Sequence, residues 1–344
     1  MAGITWQTGI AVGIQSAFGT VSPTIPGLGT AVDETDGAVL GDRESGDGES
    51  GITLPSIVRI SRERADLGFS RQKDSFQRQE GQGLSIAFEL KGNGSTTTTP
   101  LAGEAKPLPG IDAIMESAGL TGANGTAPVY EYTPTPNVSN YATIKLWDGD
   151  LSFVFQDCII ESLELPQTGG EIVIAVANYR IGQINSIQAE TFPTFTYGTM
   201  ATLSAPSVVS AGFVHGTSRE FQEANININN NIEEIPAGNQ ISGRRLSQTT
   251  RRIDFSGLLD DDVAVPLFDY NNIADTLSNL EDVTWRIGVA AGGTDLVNGV
   301  SFDISELQTL DVKADRGGDL RQVQIEGQAT SVAAAGDEFK ITFD

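Results

Sequence analysis

A chain of 344 residues with 39% hydrophobic content is long enough for about two domains with cores of their own. Its formal charge of −24 at pH 7 opposes binding to nucleic acid or to anionic membranes by simple attraction, and favours solubility. No apolar run approaches the roughly 20 residues of a membrane helix, and one cysteine, Cys158, excludes an intrachain disulfide.

The opening "MAGITWQTGI" lacks the basic-then-apolar order expected of a signal peptide. Residues 1–20 hold strand-like pieces in "GITWQTGIAVGIQ". Residues 27–51, "GLGTAVDETDGAVLGDRESGDGESG", are glycine-rich and acidic, with hardly a core residue. Such a stretch cannot offset its own ordering cost, so it is expected to be mobile in the isolated chain and to order on a partner. Residues 1–55 therefore read as an N-terminal arm and extension.

From residue 56 the pattern turns to β. "VRISRERADLGFSRQ" alternates around Val58, Ile60 and Leu67. "GLSIAFELKG" sets Leu84, Ile86, Phe88 and Leu90 on one side and Ser85, Ala87 and Glu89 on the other, the period of a half-buried strand. "GNGSTTTTPLAGEAKPLPG" reads as a loop. "PGIDAIMESAGL" reads as a short helix, with Pro109 near its start, Ile111, Ile114 and Met115 on one face, and Gly119 near its stop. "YATIKLWDGD", "LSFVFQDCIIESLELP" and "EIVIAVANYRIGQI" read as strands, and Cys158 within them as a small buried hydrophobe.

The second half follows the same order. "SREFQEANININN" and "RRIDFSGLL" are strands, with Ile253 and Phe255 expected in the places of Ile86 and Phe88. "PLFDYNNIADTLSNL" is a short helix. "VTWRIGVA", "VSFDISELQTLDV" and "LRQVQIEGQAT" are strands, and Gly317-Gly318 echoes Gly169-Gly170. The order predicts an internally duplicated, mainly β chain. Copy one spans 56–190 and copy two 208–335, each with one short α-helix. Residues 191–207 link them and 336–344 form a C-terminal tail. The period is far too long for a solenoid.

Chemical motifs are sparse. The single histidine, His215, has no cysteine or second histidine near it and makes no zinc site; it reads as a surface or turn residue. The acidic clusters at 148–150 and 258–262 lack the EF-hand spacing and read as solvated turns. No nucleophile elbow, GxGxxG or Walker A pattern is present, so neither catalytic residues nor a cofactor is expected. The basic cluster of Arg244, Arg245, Arg251 and Arg252 reads as ion pairing with an acidic neighbour rather than as a DNA contact.

"GIQSAFGTVSPT", with Gln15, Phe18, Gly19, Thr20 and Pro23, resembles the N-terminal signature of tail tube (major tail) proteins of long-tailed, non-contractile viruses of bacteria and archaea. "IKLWDGDLSFVFQDCIIESLEL" is similar to the segment where such proteins run a strand, a short turn and a long strand across the tube wall. The order of elements is similar over most of the chain.

The resemblance implies tail-tube-like domains of β-sandwich or half-barrel form, and a structural virion protein rather than an enzyme. It implies assembly in the host cytoplasm into stacked rings of the virion tail, with other tail proteins at the tube ends and no membrane. Double-stranded DNA would pass through the central channel without specific binding. Two domains per chain imply a trimeric ring of pseudo-sixfold symmetry; the alternative is a hexameric ring with the second domain as outer decoration. A negative lumen would repel DNA, and Glu89, Glu161, Glu164, Asp254 and Asp311 on polar strand faces are its candidates. The alternation does not fix whether those faces meet the channel or outer solvent. Phe18, Phe69, Phe76, Arg244 and Arg245 are candidate subunit or inter-ring contacts, with the arm and the loop near 66–83 bridging rings. Two other readings compete: a β-sandwich module binding carbohydrate or a host surface, which predicts an exposed aromatic cluster in loops, and a hydrolase on a β scaffold, which predicts a catalytic constellation.

Overall fold

Period-two segments of this sequence become antiparallel strands. The computed structural model describes residues 8–22, 52–53, 58–62, 74–78, 83–90, 109–124, 130–135, 140–148, 150–168, 173–190, 211–213, 217–219, 221–235, 245–260, 281–287, 300–315, 322–331 and 336–343. The fold is mainly β. In chain order come β1 (Thr8–Ile14), β2 (Ile52–Thr53), β3 (Val58–Arg62), β4 (Asp74–Arg78), β5 (Gly83–Glu89), α1 (Pro109–Ser117), β6 (Leu120–Asn124), β7 (Tyr130–Pro134), β8 (Ala142–Asp148), β9 (Leu151–Thr168), β10 (Ile174–Arg180) and β11 (Gln183–Ala189). There follow β12 (Ala211–Phe213), β13 (Thr217–Arg219), β14 (Phe221–Ile235), β15 (Arg245–Asp260), β16 (Glu281–Ile287), β17 (Val300–Asp315), β18 (Gln322–Ala329) and β19 (Lys340–Phe343).

Two long strands organise the pairing. The first half of β9 lies between β8 and β11, and β1 adds beyond β8. The second half of β9 lies between β10 and β14. Through β10 the sheet continues to β5 and β2; through β14 it continues to β15, β18 and the second half of β17. The first half of β17 lies between β16 and β19; β16 leads to β12 and β13, and β19 to β7 and β6. Every pairing among the described residues is antiparallel. β3 and β4 form a separate two-stranded sheet.

The strand patterns read from the sequence hold where they are strict. Leu84, Ile86, Phe88 and Leu90 are all buried. β9 is one continuous 18-residue strand. α1 buries Ile111, Ile114 and Met115 and is followed by a turn at Gly119, whose φ of 81° suits a residue without a Cβ. Cys158 is free and fully buried, and burial pushes its thiol well above the ordinary range.

Three boundaries differ. Residues 336–344, expected as a tail, carry β19, and Phe339, Ile341 and Phe343 are buried between neighbouring strands. The alternation in "EFKITF" is a strand signal too short to stand out. β1 lies in the core rather than in an arm, with Ile10, Ala11 and Val12 buried beside β8. The segment near 66–83, expected as a loop, contains β4, which gains its ladder from β3. The buried apolar residues form one cluster running from Ile10 to Phe343, so the described core is contiguous across both halves. The arm at 27–51, the linker at 191–207, His215, the Gly-Gly turns and the helix expected within 266–280 lie outside the described residues.

Candidate functional site

The central sheet has one apolar and one polar face, and β14 shows why. In "ANININN", Ala224, Ile226 and Ile228 are buried, while Asn225, Asn227 and Asn229 alternate on the other side. Backbone register carries this division to the neighbours. Asn227 stands opposite Glu164 of β9 on one side and Asp254 of β15 on the other. Glu164 and Asp254 are thus two strand spacings apart, roughly 10 Å, on one face. Asn225 stands opposite Ser256, which stands opposite Glu326, which stands opposite Asp311. Three of the candidate channel residues therefore share one face of one sheet.

Glu161 joins them through a bulge. The β9–β10 register shifts between Asn178 and Tyr179, which leaves Glu161 without a partner residue. Its carboxylate takes two hydrogen bonds from Arg180, from Nε at 2.7 Å and a terminal nitrogen at 2.8 Å. The bonds to Glu161 raise the Arg180 pKa. Glu89 pairs through its backbone with Ile174, and its side chain lies outside the described residues.

The cations on this face are tied to carboxylates. Arg252 bonds Asp254 two residues along the same strand. Lys313 bonds Asp311 at 2.8 Å and reaches Glu326 at 3.5 Å, and its hydrogen bond holds the Asp311 carboxyl below the usual range. Among the described side chains, Glu161, Glu164, Glu223, Asp254, Asp311 and Glu326 stand against Arg180, Arg252 and Lys313, so the face carries an acidic excess.

On the opposite face, Asn230 crosses the seam between β9 and β14. It is 1% exposed and uses its whole amide. Nδ2 donates to the carbonyls of Ala118 at 3.1 Å and Ile160 at 3.2 Å; Oδ1 accepts from Gln248 at 2.7 Å and Arg251 at 3.2 Å. Tyr141 to the Leu246 carbonyl and Trp285 to Gln167 Oε1 are further bonds from one half of the chain to the other. β9 and β14 are read from the sequence as strands, but periodicity does not say that they pair.

Of the expected contact residues, Phe18 packs edge-on against Tyr141 of the same chain, with ring centroids 5.3 Å apart, and remains partly exposed. Phe76 lies on β4 and Arg245 opens β15, but their side chains, like Phe69 and Arg244 altogether, fall outside the described residues. Among the described residues no group of three or more His, Cys, Asp or Glu side chains converges as a metal site. No helix there is long and apolar enough to cross a membrane.

A scan of protein-family models and a search of curated proteins give no match to this chain.

Proposed function

We propose that the protein is a structural subunit of a viral tail tube, forming stacked rings around a channel for double-stranded DNA. The observation that carries this reading is the central sheet itself. It runs through both halves of the chain by edge-to-edge pairing of β9 with β14, with a buried apolar face and a continuous polar face of acidic excess. A sheet that already adds its second half to its first can add a further copy by the same rule, and closing the series into a barrel removes its open edges.

The pairing supports duplication. β1, β5, β8, β9, β10 and β11 correspond in order and in partners to β12, β15, β16, β17, β18 and β19. β9 and β17 each divide their length between two sets of neighbours, and each carries a bulge against the following strand, at Glu161 and at Leu310. Matching the bulges aligns Ser85 with Ser256. Phe255 then takes the place of Leu84 rather than that of Phe88. Two equivalent halves per chain fit a ring of three chains with pseudo-sixfold symmetry, closed by a head-to-tail contact.

On this reading the polar face lines the channel. Its acids repel phosphate, and each named cation is tied to a carboxylate, so DNA meets few free positive groups. Electron microscopy of the purified protein tests the proposal. Tubes with a central channel and three chains per ring are expected. Monodisperse particles under assembly conditions overturn the tube, and six chains per ring overturn the trimer.

A further inference from the structure

The two long strands differ in one respect. The second half of β9 is flanked on both sides, by β10 and by β14. The second half of β17 is flanked by β18; on its other side, beyond the end of β16 at Leu307, no strand stands beside it among the described residues. That side is where β14 lies along β9, since β8 and β14 share one side of β9 as β16 marks it on β17. Leu163, beside Ile228 of β14, is 0% exposed. Val312, in the matching place on β17, is only partly buried, and the bulge residue Leu310 is 55% exposed.

β14 has a counterpart in the first half. It lies on the side of β15 away from β18, with Asn225 opposite Ser256. β2 lies on the side of β5 away from β10, with Thr53 opposite Ser85. We infer that this edge of β17 receives β2 of a second copy of this chain, in the register that β9 and β14 display internally. Asn225 stands opposite Pro166, and the matched bulges place Asp315 where Pro166 is. Thr53 of one copy therefore stands opposite Asp315 of the next. Pro166 has no N–H to give β14, so its pair is of the non-hydrogen-bonded kind, whose Cα atoms are about 4.5 Å apart. This inference rests on the equivalence of the two halves proposed above, and it assigns the edges and the register.

Cysteine cross-linking in the full chain tests it. The Thr53→Cys/Asp315→Cys variant, oxidised under assembly conditions, should form disulfides between chains, in a ladder ending at three. A Thr53→Cys/Lys313→Cys variant offsets the pair by two residues, to a separation of about 7–8 Å, and should cross-link at least tenfold less. Circular dichroism before oxidation checks that both variants are folded; should either fail, chemical cross-linking of the wild-type chain with mass spectrometric mapping reads the same contact. Equal yields in the two variants, or a bond within one chain, overturn the register. Tubes that form in the microscope without this cross-link overturn the edge assignment and leave the tube reading intact. The cross-link without tubes supports the edge pairing and removes the tube.

Discussion

Gly19 donates its backbone N–H to Asp157 Oδ1 at 2.8 Å, across 138 residues of chain. The bond ties "AFGT", after β1, to "FQDC", at the middle of β9. Asp157 is 2% exposed and holds a φ of 55°, a left-handed conformation unusual outside glycine. It sits where β9 passes from β8 and β11 to β10 and β14, and the β8–β9 register shifts beside it. Its carbonyl accepts the N–H of Gly182, which fixes the turn between β10 and β11. A single residue thus stands where the longest described strand changes neighbours and anchors the N-terminal segment to it.

Replacing Asp157 separates these two roles. Asp157→Ala loses the bond and keeps the strained backbone; about 2–4 kcal/mol of stability should go. Asp157→Gly loses the bond but relieves the strain, so it should cost less than alanine. Asp157→Asn keeps an acceptor and should cost least. Urea unfolding of the three variants gives the order, and alanine proving no worse than glycine would contradict the strain argument.

The same carboxylate predicts a pH dependence. Burial raises the Asp157 pKa above 3.8, against the opposing bond from Gly19. The folded state then holds the proton more tightly than the unfolded state. The resulting stability is complete below 3.8 and is lost as pH rises through the raised folded value. Asp157→Asn does not titrate, so its stability relative to wild type should improve with rising pH across that window and level off above it. Urea midpoints over a pH series measure this; a difference that moves the other way refutes it.

Asn230, Arg251 and Gly119 form a second test, at the seam. A Cβ on Gly119 would meet the Arg251 guanidinium at 2.1 Å, and φ is 81°. Gly119→Ala should therefore cost the left-handed backbone term, about 1–2 kcal/mol, and displace Arg251 from Asn230 and from the Thr135 carbonyl. In an Arg251→Ala background only the backbone term remains. A double-mutant cycle should show coupling of about 1 kcal/mol or more. Additive costs would mean that Arg251 moves aside freely.

Legibility from sequence followed the strength of local pattern. β5, β18 and the "ANININ" stretch of β14 alternate without interruption, so their faces are legible. β6 and β7, "LTGAN" and "YEYTP", carry glycine, proline and polar residues and give no clear strand pattern; Tyr132 is buried where β19, from the other end of the chain, pairs with β7. The left-handed backbone at Asp157 has no local mark, since Gly19 and the strands that meet there come from elsewhere in the chain. Polar-face candidates such as Glu164 and Asp254 were legible as alternation, but their shared row requires a strand from the other half between them. Asn230 was hidden in a run of asparagines, five residues of which differ only in the face and register that pairing gives them.

The C-terminal strand gives a direct measurement of the revised boundary. Phe343 is fully buried, edge-on to Tyr132 at 5.7 Å, and its backbone pairs with both β17 and β7. Phe343→Ala should cost about 3–5 kcal/mol, where a dispensable tail would cost nothing. Chemical unfolding reads the difference.

The channel reading is tested by charge. Glu164 and Asp254 flank Asn227 on the polar face, and both are partly exposed, so reversing them should leave folding within about 1 kcal/mol. Asp254→Lys also releases Arg252 from its partner. The double variant Glu164→Lys/Asp254→Lys would replace two repelling charges per chain with two attracting ones and free a third. If this face lines the channel, the charges recur around every ring along the tube, and passing DNA meets them at each step. Release of DNA from assembled virions should slow. The delay should be greatest at low salt, where the screening length is about 30 Å at 0.01 M, and should shrink toward 1 M, where it is about 3 Å. Glu161→Gln, which frees Arg180 without adding charge of its own, should give a smaller delay with the same salt dependence. Release unchanged at every salt concentration, with tubes of normal appearance, would place this face toward outer solvent instead.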